Sequence, residues 1–248
     1  MKTLRAVVTG GATNIGRAIT EQFIGQGGRV VVGQPDPAVA APLVERYGDR
    51  VIPLRVDVGD LQQCTAFINE AVRVLGGLDV LVNNAAITGS PAIAALAELT
   101  PADFSRMVAV NLGGVIFCSQ AAAPHLRAAG GGVIIHISSI NALRPQRGAM
   151  LYAATKAAVS SLAQSMGKEL AADRIRVIAV APGDIRGDTS VAQLAAMSSR
   201  GVGSDVVNQT PLGSGTPADV ADIVAFLCSD RARFVTGTTW VVDGGLLA

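Results

Sequence analysis

The segment "TGGATNIGRAI", Thr9–Ile19, decides the fold, because it joins a short apolar strand to a helix through closely spaced glycines. The preceding "AVVT" at 6–9 has the apolar, β-branched character of a buried strand, and helical spacing begins near residue 14. Gly10, Gly11 and Gly16 permit a tight turn and a close backbone approach. The opening turn of such a helix offers unpaired N–H groups to an anion. The segment therefore predicts a loop that holds a pyrophosphate.

Strands and helices alternate along the rest of the chain. Further apolar, β-branched runs lie at 29–33, 51–56, 78–83, 132–138, 176–181 and 239–243. Helical spacing lies between most of them, at 14–26, 60–75, 101–128 and 149–172. This alternation predicts an α/β fold: one Rossmann-type, doubly wound parallel sheet of about seven strands with helices on both faces, in a single domain over 1–248.

Composition excludes several classes of protein. Twenty basic and nineteen acidic side chains give a net charge of +1, with no basic run for a nucleic acid. Cys64, Cys118 and Cys228 lie far apart, which argues against a disulfide framework or a CxxC site and favours small core residues. Residues 1–9 show no signal-peptide pattern, and no apolar run is long enough for a bilayer. We expect a cytoplasmic protein without a membrane or nucleic-acid partner.

The stretch "MLYAATKAAVSSLAQ", 150–164, places Tyr152 four residues before Lys156 on a predicted helix, so the two side chains share one face. A neighbouring cation favours the phenolate and lowers the pKa of a tyrosine. Ser139 ends the strand before this helix and could hold a substrate oxygen beside the phenol. Tyr152 and Lys156 together predict a proton shuttle, with Ser139 positioned to fix the substrate beside it.

The glycine spacing resembles the TGxxxGxG pattern of the classical short-chain dehydrogenase/reductase family, with Asn14 in place of the middle glycine. Asparagine tolerates left-handed backbone conformations, so the turn can survive. YxxxK at 152–156, "NNAA" at 83–86, "APGDI" at 181–185 and "VTGTTWVVDGG" at 235–245 extend the resemblance over essentially the whole chain. It implies that the catalytic residues are Asn111, Ser139, Tyr152 and Lys156. It also implies a homotetramer with interfaces on helices 101–128 and 149–172 and near the C-terminal "DGGLLA".

The same resemblance implies a nicotinamide cofactor. Gln34 takes the usual acidic position at the end of the second strand, Asp36 follows it, and neither 34–37 nor Thr13 offers a cation to a 2′-phosphate. We therefore favour NAD without excluding NADP. The implied cofactor-binding residues are Gly10, Thr13, Asn14, Ile15, Gly16, Gln34, Asp57, Val58, Asn84, Ala85, Ala86, Tyr152, Lys156, Pro182, Gly183 and Ile185. Gly187 replaces a threonine that contacts the nicotinamide carboxamide in the family, and Thr189 lies nearby.

The implied reaction is reversible hydride transfer between the cofactor and a secondary alcohol or ketone. Few aromatic residues surround the site, which favours a sugar, polyol or hydroxy ketone. The Gly- and Ser-rich region 183–216 is a candidate substrate lid. Arg144, Arg147 and Arg186 either receive an acidic group or serve the surface and subunit contacts.

Two alternatives stay open: reduction of a 3-oxoacyl thioester, and a regulator that senses the cofactor. Sugar-nucleotide epimerisation would need a longer chain. No metal is expected, because His125 and His136 form no zinc-like cluster and are interpreted as structural.

Overall fold

The computed structural model describes residues 3–88, 92–187 and 210–248. Within them lies one parallel sheet of seven strands in the order β3-β2-β1-β4-β5-β6-β7. The strands are β1 Arg5–Thr9, β2 Arg29–Gln34, β3 Val51–Arg55, β4 Val80–Asn83, β5 Gly132–Ile137, β6 Ile175–Pro182 and β7 Thr238–Val242. The predicted doubly wound fold and its strand count are confirmed.

Helices cover both faces of the sheet. They are α1 Asn14–Gly25, α2 Ala41–Tyr47, α3 Leu61–Leu75, α4 Pro101–Val108, α5 Gly114–Ala128, α6 Met150–Glu169 and α7 Pro217–Cys228. The region 101–128, predicted as one helix, contains a π-helical turn at Ala109–Gly113 that separates α4 from α5. Neither α2 nor α7 was among the predicted helical segments.

Two cores lie on opposite faces of the sheet, and alternate residues of each strand feed them. Val8 of β1 joins the core formed with α1, α2 and α7, whereas its neighbour Val7 joins the core formed with α3, α5 and α6. Because both faces are covered, the central strands are apolar at nearly every position. Cys64 and Cys118 are buried between α3 and α5, as expected, and Cys228 is partly exposed.

One helical stretch in the described residues, Pro101–Ala128, is long and apolar enough to cross a membrane by length and composition alone, contrary to the expectation that no such run exists. The stretch contributes buried side chains such as Cys118 and Leu126 to the core beneath the sheet. A core helix meets the same criterion, so this feature carries no membrane assignment.

Strand β1 pairs with β2 on one side and β4 on the other, so the chain reverses its direction of winding at this point. Connections from neighbouring strands diverge there and leave a crevice beyond the carboxyl ends of the strands. The predicted glycine-rich loop, which follows β1, therefore lies at the position where open α/β sheets bind ligands.

Candidate active site

A cleft of about 540 Å³ opens at this end of the sheet. Its walls come from the loops that follow β1, β2, β3, β4, β5 and β6, together with the start of α6. Every predicted cofactor-binding residue lines the cleft except Gly16, and so do the predicted catalytic residues Ser139, Tyr152 and Lys156. Parallel strands thus gather residues from distant parts of the sequence into one site.

The glycine-rich loop is held tightly from behind. A Cβ atom on Gly16 would lie 2.1 Å from the carbonyl oxygen of Gly10, so this position requires glycine although it does not line the cleft. Asn84 Nδ2 donates to the carbonyl oxygens of Thr9 and Gly10, each at 3.0 Å. Asn14 adopts φ +45°, which confirms that asparagine takes the left-handed conformation in place of glycine.

Gln34 lies where β2 ends and is 8% exposed. Its Nε2 atom is buried and has no hydrogen-bond partner in the described part of the chain. An unpartnered buried donor is costly, so a group that accepts its hydrogen bond would stabilise the site. The hydroxyl oxygens of a dinucleotide ribose supply such acceptors, and the residues present therefore fit a nicotinamide dinucleotide.

An ion pair at the cleft rim was not predicted from the sequence. Arg106 Nη1 lies 2.9 Å from Asp57 Oδ2, and Gly59 N–H donates to Asp57 Oδ1 at 2.9 Å. Burial raises the pKa of Asp57, but the hydrogen bonds from Arg106 and Gly59 outweigh burial and lower it overall. Asp57 is therefore a fixed, ionised acceptor at the predicted adenine side of the cleft. No sequence pattern links Asp57 to Arg106, because Arg106 lies on a different element, α4.

Ser139 and the helix α6 are joined at the end of β5. The Ser139 side chain accepts a hydrogen bond from the Asn141 N–H at 3.1 Å, and it is close enough to Tyr152 to influence the pKa of the phenol. The preceding residue, Ser138, donates to the carbonyl oxygen of Lys156 at 2.9 Å. These contacts fix the α6 face that carries Tyr152 against the end of the strand.

The electrostatics of Tyr152 differ from the prediction. Burial raises the pKa of Tyr152, and the nearby Ser139 side chain only partly offsets this effect. The ammonium of Lys156 lies 5.7 Å from the centroid of the Tyr152 ring. Burial also lowers the pKa of Lys156 to about 8. Desolvation of both groups therefore dominates in the protein alone, and lysine does not bring the phenol pKa below its usual value there.

Asn111 lies in the π-helical turn and is 1% exposed. Its Oδ1 accepts from the Ile87 N–H at 2.7 Å, and its Nδ2 donates to the Ile87 carbonyl oxygen at 3.2 Å and to Thr155 Oγ1 at 3.4 Å. The side chain lies behind the cleft and ties the segment after β4 to α6. Its predicted part in a proton relay remains a prediction.

The three arginines considered for substrate binding do not line the cleft. Arg144 donates to the Leu246 carbonyl oxygen at 3.2 Å, Arg186 lies 3.6 Å from Asp184 Oδ2, and Arg147 is exposed. Residues 188–209, which include Thr189 and most of the predicted lid, lie outside the described residues.

The two histidines have separate partners. His136 is fully buried beside Asn83, and His125 contacts Asn69 at 2.9 Å. Among the residues that the structure describes, no group of three or more His, Cys, Asp or Glu side chains could hold a metal ion.

A doubly wound sheet, a glycine-rich loop at its switch point and a Ser–Tyr–Lys group in the same cleft define a nicotinamide-dependent oxidoreductase. The family described as "Enoyl-(Acyl carrier protein) reductase" matches residues 10–247. The chain belongs to the short-chain dehydrogenase/reductase family, as its motifs predicted.

Two curated relatives illustrate the similarity. The chain is 38% identical over 250 residues to a 3alpha-hydroxysteroid dehydrogenase of Mediterraneibacter gnavus, covering 98% of this chain and 97% of that protein. It is 39% identical over 248 residues to a cis-4-hydroxycyclohexanecarboxylate dehydrogenase of Sinomonas cyclohexanicum, covering 98% and 96%.

Solved structures agree with this assignment. A 3-ketoacyl-(acyl-carrier-protein) reductase from Brucella melitensis complexed with NADH superimposes with a TM-score of 0.89 at 29% identity, covering 98% of both chains. The structure of ElxO with NADP bound gives a TM-score of 0.88 at 30% identity, covering 99% of both chains. Members of the family thus bind either form of the cofactor.

Proposed function

We propose that this protein catalyses reversible hydride transfer between a nicotinamide cofactor and a secondary alcohol or ketone. The observation that carries the proposal is that Ser139, Tyr152 and Lys156 line the same cleft as the glycine-rich loop, with Lys156 Nζ 5.7 Å from the centroid of the Tyr152 ring. This arrangement places a proton donor and acceptor beside an oxygen-binding hydroxyl.

In ketone reduction, Ser139 orients the substrate oxygen and the Tyr152 phenol donates its proton to that oxygen. Alcohol oxidation is the reverse step, in which the Tyr152 phenolate accepts the proton of the alcohol. The bound nicotinamide supplies the hydride donor, or the hydride acceptor in the reverse direction. Lys156 is a buried cation close to the Tyr152 ring, so it stabilises negative charge as it develops on the phenol oxygen. Asn111 supports this side of the site by holding Thr155 and the segment at Ile87.

The lining of the cleft favours a neutral, compact substrate. Its lining residues include Ala92, Ile93 and Ala149, which are small or apolar, and the amide side chain of Gln146. Lys156 and Arg106 are the only cations among the described lining residues, and Arg106 is paired with Asp57. A hydroxylated ring or a sugar-like polyol suits this lining. The names of both curated relatives refer to hydroxyl groups on rings, which supports the same class.

NAD is the proposed cofactor in preference to NADP. Gln34 offers a neutral donor at the end of β2, and in the described lining no unpaired cation stands beside it to balance a 2′-phosphate. A phosphate buried there without a cation would be unfavourable.

Absorbance of the reduced nicotinamide tests the proposed function directly. The purified protein is mixed with NAD or NADP and a panel of cyclic alcohols, polyols and hydroxy acids, and with NADH or NADPH and the matching ketones. We expect turnover with neutral secondary alcohols and NAD. A flat trace over the whole panel, in a protein that binds NADH, would instead support a cofactor-sensing regulator.

Reduction of a 3-oxoacyl thioester is the second candidate. The superposition on the 3-ketoacyl-(acyl-carrier-protein) reductase at a TM-score of 0.89 favours it. Acetoacetyl thioesters with NADH or NADPH belong in the same panel. A kcat/KM for the thioester that exceeds those of all the cyclic and polyol substrates would make this the preferred function.

We also propose that the protein is a cytoplasmic homotetramer. Large apolar side chains are exposed on the helices that the family resemblance assigns to interfaces, including Phe104 on α4 at 56% and Met150 at the start of α6 at 49%. Burial of such side chains between subunits is favourable. Sedimentation of the purified protein tests the assembly, and a monomer at micromolar concentration would contradict it.

A further inference from the structure

Two departures from the family pattern meet in space. Asn14 stands where the resemblance leads one to expect glycine, and Gly187 stands where it leads one to expect threonine. A Cβ atom on Gly187 would lie only 2.6 Å from Asn14 Oδ1. The side chain of Asn14 therefore fills the space in which a side chain at position 187 would begin.

The two residues belong to different segments that line the cleft. Asn14 opens α1 directly after the glycine-rich loop, and Gly187 lies on the segment that follows β6; both line the cleft. The contact thus joins the glycine-rich loop, which would hold the pyrophosphate, to the segment that contacts the nicotinamide carboxamide in the family pattern.

The segment around Gly187 cannot easily move away from Asn14. Arg186 N–H donates to the Gly215 carbonyl oxygen at 2.8 Å, and Gly215 N–H donates to the Asp184 carbonyl oxygen at 2.9 Å. On its far side, a Cβ on Gly187 would lie 3.2 Å from Cγ of Pro217, at the start of α7. A larger residue at 187 must therefore displace the Asn14 side chain rather than the backbone.

Asn14 keeps its place at a conformational cost. Its φ of +45° is uncommon for a residue with a side chain, and glycine would adopt it more easily. Only Asn14 and Arg174 combine a side chain with positive φ in the part of the chain that the structure describes. A residue that adopts this less favourable backbone conformation and also lines a binding cleft is a candidate for a function of its side chain.

We propose that Asn14 is a positioning residue for the nicotinamide cofactor. Its side-chain amide replaces the contact with the cofactor that Gly187, which has no side chain, cannot make. Asn14 and Gly187 form a complementary pair: the asparagine holds the loop after β6 against the glycine-rich loop, and the glycine makes room for it. This inference rests on the proposed function, because it requires that the cleft bind a nicotinamide dinucleotide.

A double-mutant cycle tests the pair, with the dissociation constant of NADH measured by calorimetry and the thermal midpoint measured without cofactor. We expect Asn14→Gly to weaken NADH binding about tenfold while the midpoint stays unchanged or rises, because glycine removes the backbone strain. Gly187→Thr should weaken binding by a similar factor. The double variant Asn14→Gly/Gly187→Thr should return to within about threefold of the wild type.

The matched control is Gly25→Thr, because a Cβ at Gly25 would meet nothing within 4 Å. It should leave the dissociation constant unchanged. The pairing would be overturned if Asn14→Gly bound NADH with wild-type affinity. It would also be overturned if the double variant lost affinity for NADH by the product of the two single-variant factors. A wild-type protein that does not bind NADH would overturn the proposed function and the pairing together, so the two failures can be told apart.

Discussion

Lys156 Nζ donates a hydrogen bond of 2.7 Å to the carbonyl oxygen of Ile137. The lysine is 3% exposed, and no carboxylate in the described residues forms an ion pair with it. Burial alone lowers its pKa to about 8. The site therefore contains a buried ammonium that the protein stabilises little. This is expected for a lysine that interacts with bound ligands.

Lys156→Met should stabilise the cofactor-free protein at pH 7. The folded pKa lies below the unfolded one, so the unfolded chain binds more protons between about pH 8 and 10.5, and wild-type stability rises with pH across that window. Below pH 8 the folded protein carries the buried ammonium in its charged form, so the full cost of its burial lowers the free energy of unfolding. The lost hydrogen bond to the Ile137 carbonyl offsets part of this stabilisation, so we expect the free energy of unfolding to rise by about 1–3 kcal/mol.

Urea unfolding at pH 7 and pH 10 measures this effect. The advantage of Lys156→Met should shrink at the higher pH. Lys168→Met, at the exposed end of the same helix, is the control and should show no such pH dependence. Equal stability of wild type and Lys156→Met at both pH values would contradict an energetically costly ammonium.

The residues that could be predicted from sequence are those that local geometry places together. Tyr152 and Lys156 share a helix face because of the helical period alone. Contacts between elements that are distant in the sequence could not be predicted in this way. The hydrogen bond from Asn84 to Gly10 joins residues 74 positions apart, and that from Arg106 to Asp57 joins residues 49 positions apart. The shift of the Tyr152 pKa was missed for the same reason, since burial depends on the whole fold.

Tyr152→Phe should abolish almost all turnover, because phenylalanine keeps the ring and removes the proton acceptor. The loss of kcat should be about 10²–10⁴-fold, the usual contribution of general acid–base catalysis. Affinity for NADH and the thermal midpoint should change little. Tyr47→Phe removes the only other tyrosine hydroxyl, on α2, and should keep full activity. Near-normal kcat in Tyr152→Phe would refute the proposed role.

Gln34→Asp should strengthen discrimination against NADP. The carboxylate would accept from both ribose hydroxyls of NAD and repel a 2′-phosphate. We expect the ratio of the NADP and NAD dissociation constants to rise about tenfold, as a change of roughly 1.4 kcal/mol. Gln26→Asp, after the exposed end of α1, introduces the same charge away from the cleft and should leave the ratio unchanged. An unaltered ratio in Gln34→Asp would place the ribose elsewhere.

Gly16→Ala should disrupt the glycine-rich loop. Its Cβ would lie 2.1 Å from the Gly10 carbonyl oxygen, so the backbone must shift and NADH binding should fall at least tenfold. Gly25→Ala on the same helix meets nothing within 4 Å and should be neutral or stabilising by up to about 1 kcal/mol. Calorimetry and thermal unfolding of both variants provide the comparison. Retention of wild-type affinity by Gly16→Ala would show that the loop is not rigid.

His136→Asn should make the protein more resistant to acid. The pKa of His136 is lowered to about 4, mainly by burial; a backbone hydrogen bond at Ile135 opposes this shift, and the charge of Lys156 adds to it. The unfolded chain therefore binds more protons between about pH 4 and 6.5, and wild-type stability falls as the pH drops through that window. The fall attributable to this residue is about 3 kcal/mol.

Asparagine at 136 cannot take up a proton and retains an amide that can pair with Asn83, so the variant should lose this part of the acid slope. Unfolding by urea at pH 7, 5.5 and 4.5 measures it. His125→Asn, whose imidazole bonds Asn69 near the surface, is the matched control and should keep the wild-type slope. If His136→Asn and wild type lose stability in parallel, the buried imidazole is not the group that makes the fold sensitive to acid.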